Sequence, residues 1–320
     1  MKQYTHAWIA MMAVKRLDHA QFAKPEAKAV ATHFVEWIDE YRDNVIKGAW
    51  YPDEVIKDMS TGHILKHLPG EGTEPVNWLK LPAGYHICET AKKSPMAGRQ
   101  YKIDGGNLTD RCEALTHSVV DNMKMLVREN RGSSFPPSGT HVAAILFMLS
   151  HYIADAHMPL HCDGRQYAEK VGLHADIEEY WDKQVKKCYT IDKRYKRFNY
   201  DPQGYPLKVG SHPIIDWVEE QIISRPFDSS YGTGNSQTWD FLSAIAQCSY
   251  LTSYVMIPPD ADPKTLDFKT MVGRLTPEYF DQLSRELLID AIDSISRVWY
   301  RAWNRYLDWE NRGTKETPEK

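Results

Sequence analysis

The sequence predicts an all-α protein, and three observations lead to that prediction. Apolar residues recur three and four positions apart over several long stretches, which is the spacing of one helix face. Loops rich in Gly, Pro and Ser separate these stretches, and no alternating strand pattern of any length competes with them. The 320 residues are 42% hydrophobic, which is enough for a large core. We therefore expect one all-helical domain over residues 1–312, followed by a frayed tail at residues 313–320.

Helical periodicity predicts the elements in order along the chain. The helices that it predicts cover about residues 5–17, 25–47, 108–130, 139–157, 173–187, 214–224 and 239–254. The segment 139–157 is apolar nearly all round, so we expect it to be the central helix, ended by Pro159. The last helix begins at Pro277 with Thr276 as its N-cap, and its apolar stripe continues for about eight turns.

Composition and charge argue against several other classes of protein. The net charge of −4 supplies no general basic field for nucleic acid, which leaves only a local groove for such binding. The five cysteines are scattered without a CxxC pair, so neither a disulfide framework nor a thiolate zinc site is indicated. No run approaches the roughly 20 apolar residues of a membrane span. No export signal is recognisable, which predicts a cytoplasmic protein if Met1 is the true start and a secreted one if a leader has been trimmed.

The stretch "LSHYIADAHMPLH" places histidines and a carboxylate on the most apolar helix of the chain. His151 and Asp155 are four residues apart, so they project from the same helix face, and His161 follows just beyond the helix. His174 and Glu178 repeat the same spacing in the next helix. A single pair of this kind is usually a helix salt bridge, but two such pairs close together suit a zinc ion, which binds imidazole nitrogen and carboxylate oxygen.

These residues resemble the central motif of the zinc-dependent phospholipase C and single-strand-specific nuclease superfamily. Its pattern is His-x3-Asp-x5-His, followed by His-x3-Glu in phospholipases or His-x3-Asp in nucleases, and this chain has "HADIE" in the second part. The segments "YTHAWIAMMA" and "GAWYPD" resemble the family's first helix and an early aspartate ligand, and the last helix resembles its closing helix. The resemblance implies a single all-helical domain that holds about three zinc ions in a cleft.

The resemblance also implies which residues bind the metal. The first site would use Asp53, His67, His151 and Asp155; the second His161, His174 and Glu178; the third His6, Asp155 as a bridge, and the amine and carbonyl of Met1. The family's interval after the early aspartate favours His67, which is fourteen residues after Asp53. His63 stays open as the alternative, because "HILKH" would put both histidines on one helical face.

By this resemblance the protein would hydrolyse a phosphodiester, with a metal-bridged hydroxide attacking phosphorus. Asp155 would bridge two zinc ions, and Asp53 would orient or deprotonate the attacking water. Glu178 favours the phospholipase C branch and therefore a phospholipid headgroup as substrate, although no segment has the pattern of an interfacial amphipathic helix. One alternative is a nuclease or 3′-nucleotidase acting on single-stranded nucleic acid. Another is a non-catalytic helical protein with at most one structural zinc, and no obligate protein partner is indicated.

Overall fold

Helices make up most of the regular structure in the computed structural model, which describes residues 1–72, 81–129, 137–167, 172–229 and 237–315. They are α1 (Gln3–His19), α2 (Pro25–Asp39), α3 (Val45–Gly48), α4 (His86–Lys92), α5 (Leu108–Glu129), α6 (Gly139–Ala156), α7 (Pro159–Cys162), α8 (Leu173–Cys188), α9 (Pro213–Ser224), α10 (Thr238–Met256), α11 (Phe268–Leu275) and α12 (Pro277–Lys315). A short 3₁₀ turn (Arg42–Asn44) and a π-helical turn (Pro52–Ile56) follow α2 and α3 respectively. The predicted all-α class is confirmed.

Three short strand pairs join loops in the described part of the chain. They are β1 (Gln21–Phe22) with β6 (Pro226–Phe227) in parallel, and two antiparallel pairs, β2 (Lys66–Pro69) with β3 (Tyr101–Gly105) and β4 (Ile191–Asp192) with β5 (Arg197–Phe198). The expectation that His63 and His67 share a helical face is wrong, because β2 begins at Lys66 and the residues before it form a turn.

The central position predicted for α6 agrees with its packing. It contacts α1, α3, α5 and α12, and 13 of its 18 residues are buried. Ser138 caps its first turn by accepting a hydrogen bond from the amide of His141 at 3.2 Å. Its last residue, Ala156, is one short of the predicted end, and α7 begins at Pro159. A helix that is apolar all round thus occupies the middle of the bundle, as its pattern requires.

The long last helix also begins where the sequence predicts. The Thr276 hydroxyl accepts a hydrogen bond from the amide of Tyr279 at 3.3 Å, which is the geometry of an N-cap. α12 packs against α1, α5, α6 and α9. It continues to Lys315, three residues past the boundary predicted for the frayed tail, and residues 316–320 of that tail lie outside the described residues. The division into one domain and a tail stays a prediction.

The predicted helix over residues 25–47 is wrong at its C-terminal end. α2 ends at Asp39, and the chain bends through the 3₁₀ turn before α3. Gly48 of α3 lies against Phe147 of α6, where a Cβ atom would come within 2.8 Å of the Phe147 Cβ, so this close approach of the two helices requires glycine. This bend directs the following segment, with Asp53, toward the end of α6.

Buried ion pairs and caps hold α1 against its neighbours. Arg16 is buried and donates to the Asp293 carboxylate of α12 at 3.0 Å. At the other end, the Asp182 carboxylate of α8 accepts hydrogen bonds from the amides of Tyr4 and Thr5, at 2.9 and 3.0 Å. Asp182 thus caps α1 from a different helix. Within the described residues, none of the helices combines the length and apolarity that crossing a bilayer would need.

Candidate metal centre

A cleft of about 620 Å³ opens where α1, the π-helical turn, the α6–α7 junction and α8 meet. Met1, Asp53, His63, Asp155, His161 and Glu178 are among the residues that line it. The sequence predicts every one of them as a ligand or an alternative ligand. Three groups of ligand-type atoms occur here, and the atoms of each group lie within 4.8 Å of one another.

Asp155 lies at the centre of the first group. Its Oδ2 is 3.2 Å from Nε2 of His151, one helical turn earlier on α6, and its Oδ1 is 3.5 Å from Nε2 of His6 on α1. His161 Nε2 lies 3.7 Å from the same Oδ1. Only 1% of the Asp155 side chain is exposed. The predicted i,i+4 pair is therefore present, and its carboxylate faces histidines from three different segments.

The second group contains Asp53, His63 and His151. Asp53 Oδ1 is 3.5 Å from His63 Nδ1 and 3.7 Å from His151 Nε2. His67 points elsewhere: its Nδ1 lies 3.3 Å from the Cys162 carbonyl oxygen, and its ring packs against tyrosines of β3 and α10. This geometry favours His63 over His67 as the candidate ligand, because the strand that begins after His63 turns His67 into the core.

The third group contains His161, His174 and Glu178. Glu178 Oε1 lies 2.8 Å from His174 Nε2 and 3.3 Å from His161 Nε2. The Met1 amine lies 2.8 Å from the same oxygen and 3.2 Å from Asp155 Oδ1. The chain's first amine thus stands between the carboxylates of two groups, so the three groups form one continuous cluster.

The imidazole rings present their lone pairs to this cluster. His151 Nδ1 donates to the Ala49 carbonyl oxygen at 2.7 Å, and His161 Nδ1 donates to that of His63 at 2.9 Å. The bond to Ala49 fixes the tautomer of His151 and leaves its Nε2 as a free acceptor, whereas His161 Nε2 donates to Glu178 Oε1 at 3.3 Å. The Nε2 atoms of His6, His63 and His151 are buried, and none has a hydrogen-bond partner among the described residues. Unpartnered buried nitrogens facing buried carboxylates fit the donor set of zinc.

The protonation states of the two buried acids and of His63 also suit a cation. Burial alone would raise the pKa of Asp155, but His161 and the Met1 amine hold that pKa well below its usual range. The pKa of Glu178 is likewise well below its usual range, because the amine and His174 outweigh burial. Burial lowers the pKa of His63 to about 4. At neutral pH the two acids are therefore ionised and the His63 ring is neutral, which are the forms that bind metal.

Sequence reasoning missed Asp58, a further carboxylate beside the cluster. Its Oδ1 lies 3.4 Å from His63 Nε2, and its other oxygen accepts from Arg111 at 2.9 Å. The Tyr152 hydroxyl donates to it at 3.0 Å. No spacing rule links Asp58 to a ligand, because the π-helical turn and the loop after it have no regular period. Asp58 holds His63 from the side opposite Asp53.

Comparisons with known proteins bear on the fold. No family model matches the chain, and no curated protein matches it. Among solved structures, it is similar to the crystal structure of alpha-toxin from an avian strain of Clostridium perfringens, with a TM-score of 0.51 and 14% sequence identity. The similarity covers 95% of this chain and 64% of the toxin chain, so this chain spans less than two thirds of the toxin's length. At that identity, the similarity shows a shared helical fold.

Proposed function

We propose that this protein is a zinc-dependent phosphodiester hydrolase of the phospholipase C type. The observation that carries the proposal is the single cluster in which three histidine–carboxylate groups and the Met1 amine converge on one cleft. The motif resemblance and the helical fold shared with alpha-toxin support it. A non-catalytic protein with one structural zinc would need only one such group.

The cluster offers three places for zinc. The residues that would hold the ions are Asp53, His63, His151 and Asp155 in the first; His161, His174 and Glu178 in the second; and His6, Asp155 and Met1 in the third. Asp155 would serve two of them, since both its oxygens face nitrogen atoms of the cluster. Zinc in these places would supply a water of near-neutral pKa and would neutralise phosphate charge.

Asp53 is the residue that we assign to handling the proton of the attacking water. It lines the cleft, and burial raises its pKa above the usual range, which makes its oxygen a better proton acceptor. Asp155 is fully buried and would stay ionised, so it would hold negative charge at the base of the cleft. The attack would displace the alcohol of the phosphodiester from phosphorus, and no serine or cysteine nucleophile is required.

The substrate that we favour is a phospholipid headgroup diester. Glu178 occupies the position that distinguishes the phospholipase branch of the resembling family, and it lies in the third group. Single-stranded nucleic acid is the second candidate, and Trp50 and Tyr167 in the cleft wall favour it because bases stack on aromatic side chains.

Metal analysis followed by two substrates tests the proposal. Purified protein should contain about three zinc ions per chain, and it should release the chromophore from a chromogenic phosphocholine diester. Asp155→Asn should lose metal and activity together, because it removes a carboxylate common to two sites. A zinc content of one or none, or no turnover of either the phosphocholine diester or single-stranded DNA, would contradict the proposal. Turnover of DNA alone would move the protein to the nuclease branch.

A further inference from the structure

In the loop that carries Asp53, two acidic side chains face the cleft and three apolar side chains face solvent. Asp53 and Asp58 contact the metal cluster, as described above. Val55, Ile56 and Met59 are 63%, 41% and 54% exposed. Large apolar side chains exposed singly are ordinary on a protein surface, but three within five residues form a patch. Such a patch marks a surface that meets an apolar partner.

The outward direction of these side chains is fixed by the anchoring of the loop. The carboxylate of Asp58 is held by Arg111 and Tyr152, and the amide of Lys57 donates to the Pro52 carbonyl at 2.7 Å. Lys57 has a left-handed backbone (φ 57°), which closes the π-helical turn. Because both ends of the segment are tied down, Val55 and Ile56 do not turn into the core.

A basic and aromatic turn lies beside this loop. Residues 193–196, at the tip of the β4–β5 hairpin, read "KRYK", and all four are exposed. Tyr195 is among the most exposed aromatic side chains of the described chain. Lys196 Nζ lies 3.7 Å from Glu54 Oε1, so the hairpin tip and the apolar loop are adjacent. Glu54 is one residue from Val55, and this places basic, aromatic and aliphatic side chains on one surface.

This surface borders the cleft. Met59 is exposed to solvent and also lines the cleft wall, as does its neighbour Ser60. We call Val55, Ile56, Lys57, Met59 and residues 193–196 the cleft-mouth surface. A partner that covers the cleft-mouth surface therefore lies beside the cleft, which it meets at Met59.

We propose that the cleft-mouth surface docks the protein on an anionic lipid bilayer. Val55, Ile56 and Met59 would enter the boundary between headgroups and acyl chains, while the hairpin tip contacts anionic headgroups. Nucleic acid is the less suitable partner, since it is bound by basic and aromatic groups and offers nothing to aliphatic side chains. This inference rests on the proposed lipid substrate, and it explains how a lipid would reach the cleft without leaving the bilayer.

Vesicle binding tests the apolar part of this surface. The full chain is sedimented with phosphatidylcholine vesicles that contain phosphatidylserine, and bound protein is measured. Val55→Ser/Ile56→Ser should weaken binding about tenfold, because burial of two aliphatic side chains is lost. The matched control is Val209→Ser/Ile223→Ser, which replaces the same residue types at 62% and 48% exposure, away from the cleft lining. Equal loss in both variants would overturn the proposal.

Charge is tested separately. Lys196→Gln should weaken binding to vesicles with phosphatidylserine about fivefold and leave binding to pure phosphatidylcholine unchanged, because each cation near an anionic membrane contributes about 1 kcal/mol. Lys183→Gln is the control, since Lys183 is also exposed and paired with a glutamate, Glu179, at 3.9 Å. No dependence on phosphatidylserine would contradict the role assigned to the hairpin tip.

These measurements distinguish a failure of the docking proposal from a failure of the hydrolase proposal. Val55→Ser/Ile56→Ser should hydrolyse a water-soluble phosphocholine diester at the wild-type rate, since neither side chain lines the cleft. A wild-type chain that hydrolyses this diester but binds no vesicles would overturn the docking surface and leave the hydrolase proposal standing. Vesicle binding without hydrolysis would overturn the hydrolase proposal and leave the docking surface standing. Binding of single-stranded DNA that depends on Lys196, without vesicle binding, would assign the surface to nucleic acid.

Discussion

His63 and His67 show that the local backbone conformation decides which of two nearby histidines can face Asp53. The spacing from Asp53 favours His67, and a helix through this segment would put both histidines on one face. In the structure the chain turns at His63 and then enters β2, so His63 faces Asp53 while His67 enters the core. The pair His151 and Asp155 could be predicted from the sequence because both lie on one helix with a fixed spacing. A candidate ligand on an irregular loop could not be predicted in this way.

Paired alanine variants test this assignment. His63→Ala should lower the zinc content by about one ion per chain and abolish hydrolysis, because it removes a nitrogen ligand from a three-residue group. His67→Ala should keep its zinc and instead lower the melting temperature, since the His67 ring is fully buried against Tyr101 and Tyr250. Metal analysis and calorimetry on both proteins provide the comparison. Loss of zinc from the His67 variant alone would show that His67, and not His63, is the ligand.

Asp290 of α12 leads to a prediction about pH. It is fully buried, and although it accepts a hydrogen bond from the Ile87 amide at 2.8 Å, burial raises its pKa from 3.8 to about 8. The folded protein therefore holds a proton that the unfolded chain releases near pH 4. The contribution of Asp290 to stability is complete below that pH and falls as pH rises toward 8, by about 1.4 kcal/mol per pH unit.

Asp290→Asn should remove this dependence, because the amide keeps the acceptor for Ile87 and does not ionise. The difference in unfolding free energy between variant and wild type should shift in favour of the variant from pH 6 to pH 8. Urea denaturation at the two pH values measures it, and all other titrating groups cancel in the difference. A difference that stays constant with pH would show that Asp290 is ionised throughout.

At the scale of elements, regular helices were predictable and the segments between them were not. α6 and α12 begin at the residues where a capping side chain and an apolar stripe place them, because both signals are local. The π-helical turn that carries Asp53 has no such local signal, and it follows α3, whose Gly48 packs on Phe147, a residue far away in the sequence. The apolar loop of the cleft-mouth surface was missed for the same reason, since only amphipathic helices give a lipid-binding pattern in sequence.

The segment ahead of α1 gives a prediction about Met1. Met1 is buried, and its amine stands between Asp155 and Glu178, which raise the pKa of that amine to about 10 even though burial lowers it. A Gly-Ser extension ahead of Met1 should convert the amine to an amide, which cannot ligate a cation as an amine does. We expect it to lose about one zinc ion per chain and most of the hydrolytic activity.

The matched control for this prediction is the same Gly-Ser extension placed after Lys320, at the end of the chain remote from Met1 in sequence. Zinc content and hydrolysis are measured on both extended proteins. Full zinc occupancy in the amino-terminally extended protein would contradict the role that we propose for the amine.

At the scale of the whole molecule, the candidate metal centre draws together residues from Met1 to Glu178. Ions bound there would cross-link α1, the loop after α3, α6 and α8. Removal of zinc with a chelator should therefore lower the melting temperature of the entire domain, and zinc added back should raise it as its concentration exceeds the dissociation constant. Calorimetry with and without zinc measures the effect. A melting temperature that does not respond to zinc would argue against metal binding at a shared cluster.

The capping of α1 by Asp182 has a consequence for the design of chimeric proteins. α8 carries His174 and Glu178, while the helix that Asp182 caps carries His6. The two helices are therefore joined by two hydrogen bonds from main-chain amides of α1 to the Asp182 side chain, and these bonds set their spacing. In a chimera that takes α8 from another protein but keeps the α1 of this chain, the ligand side chains would be present but would lie at the wrong distance from one another.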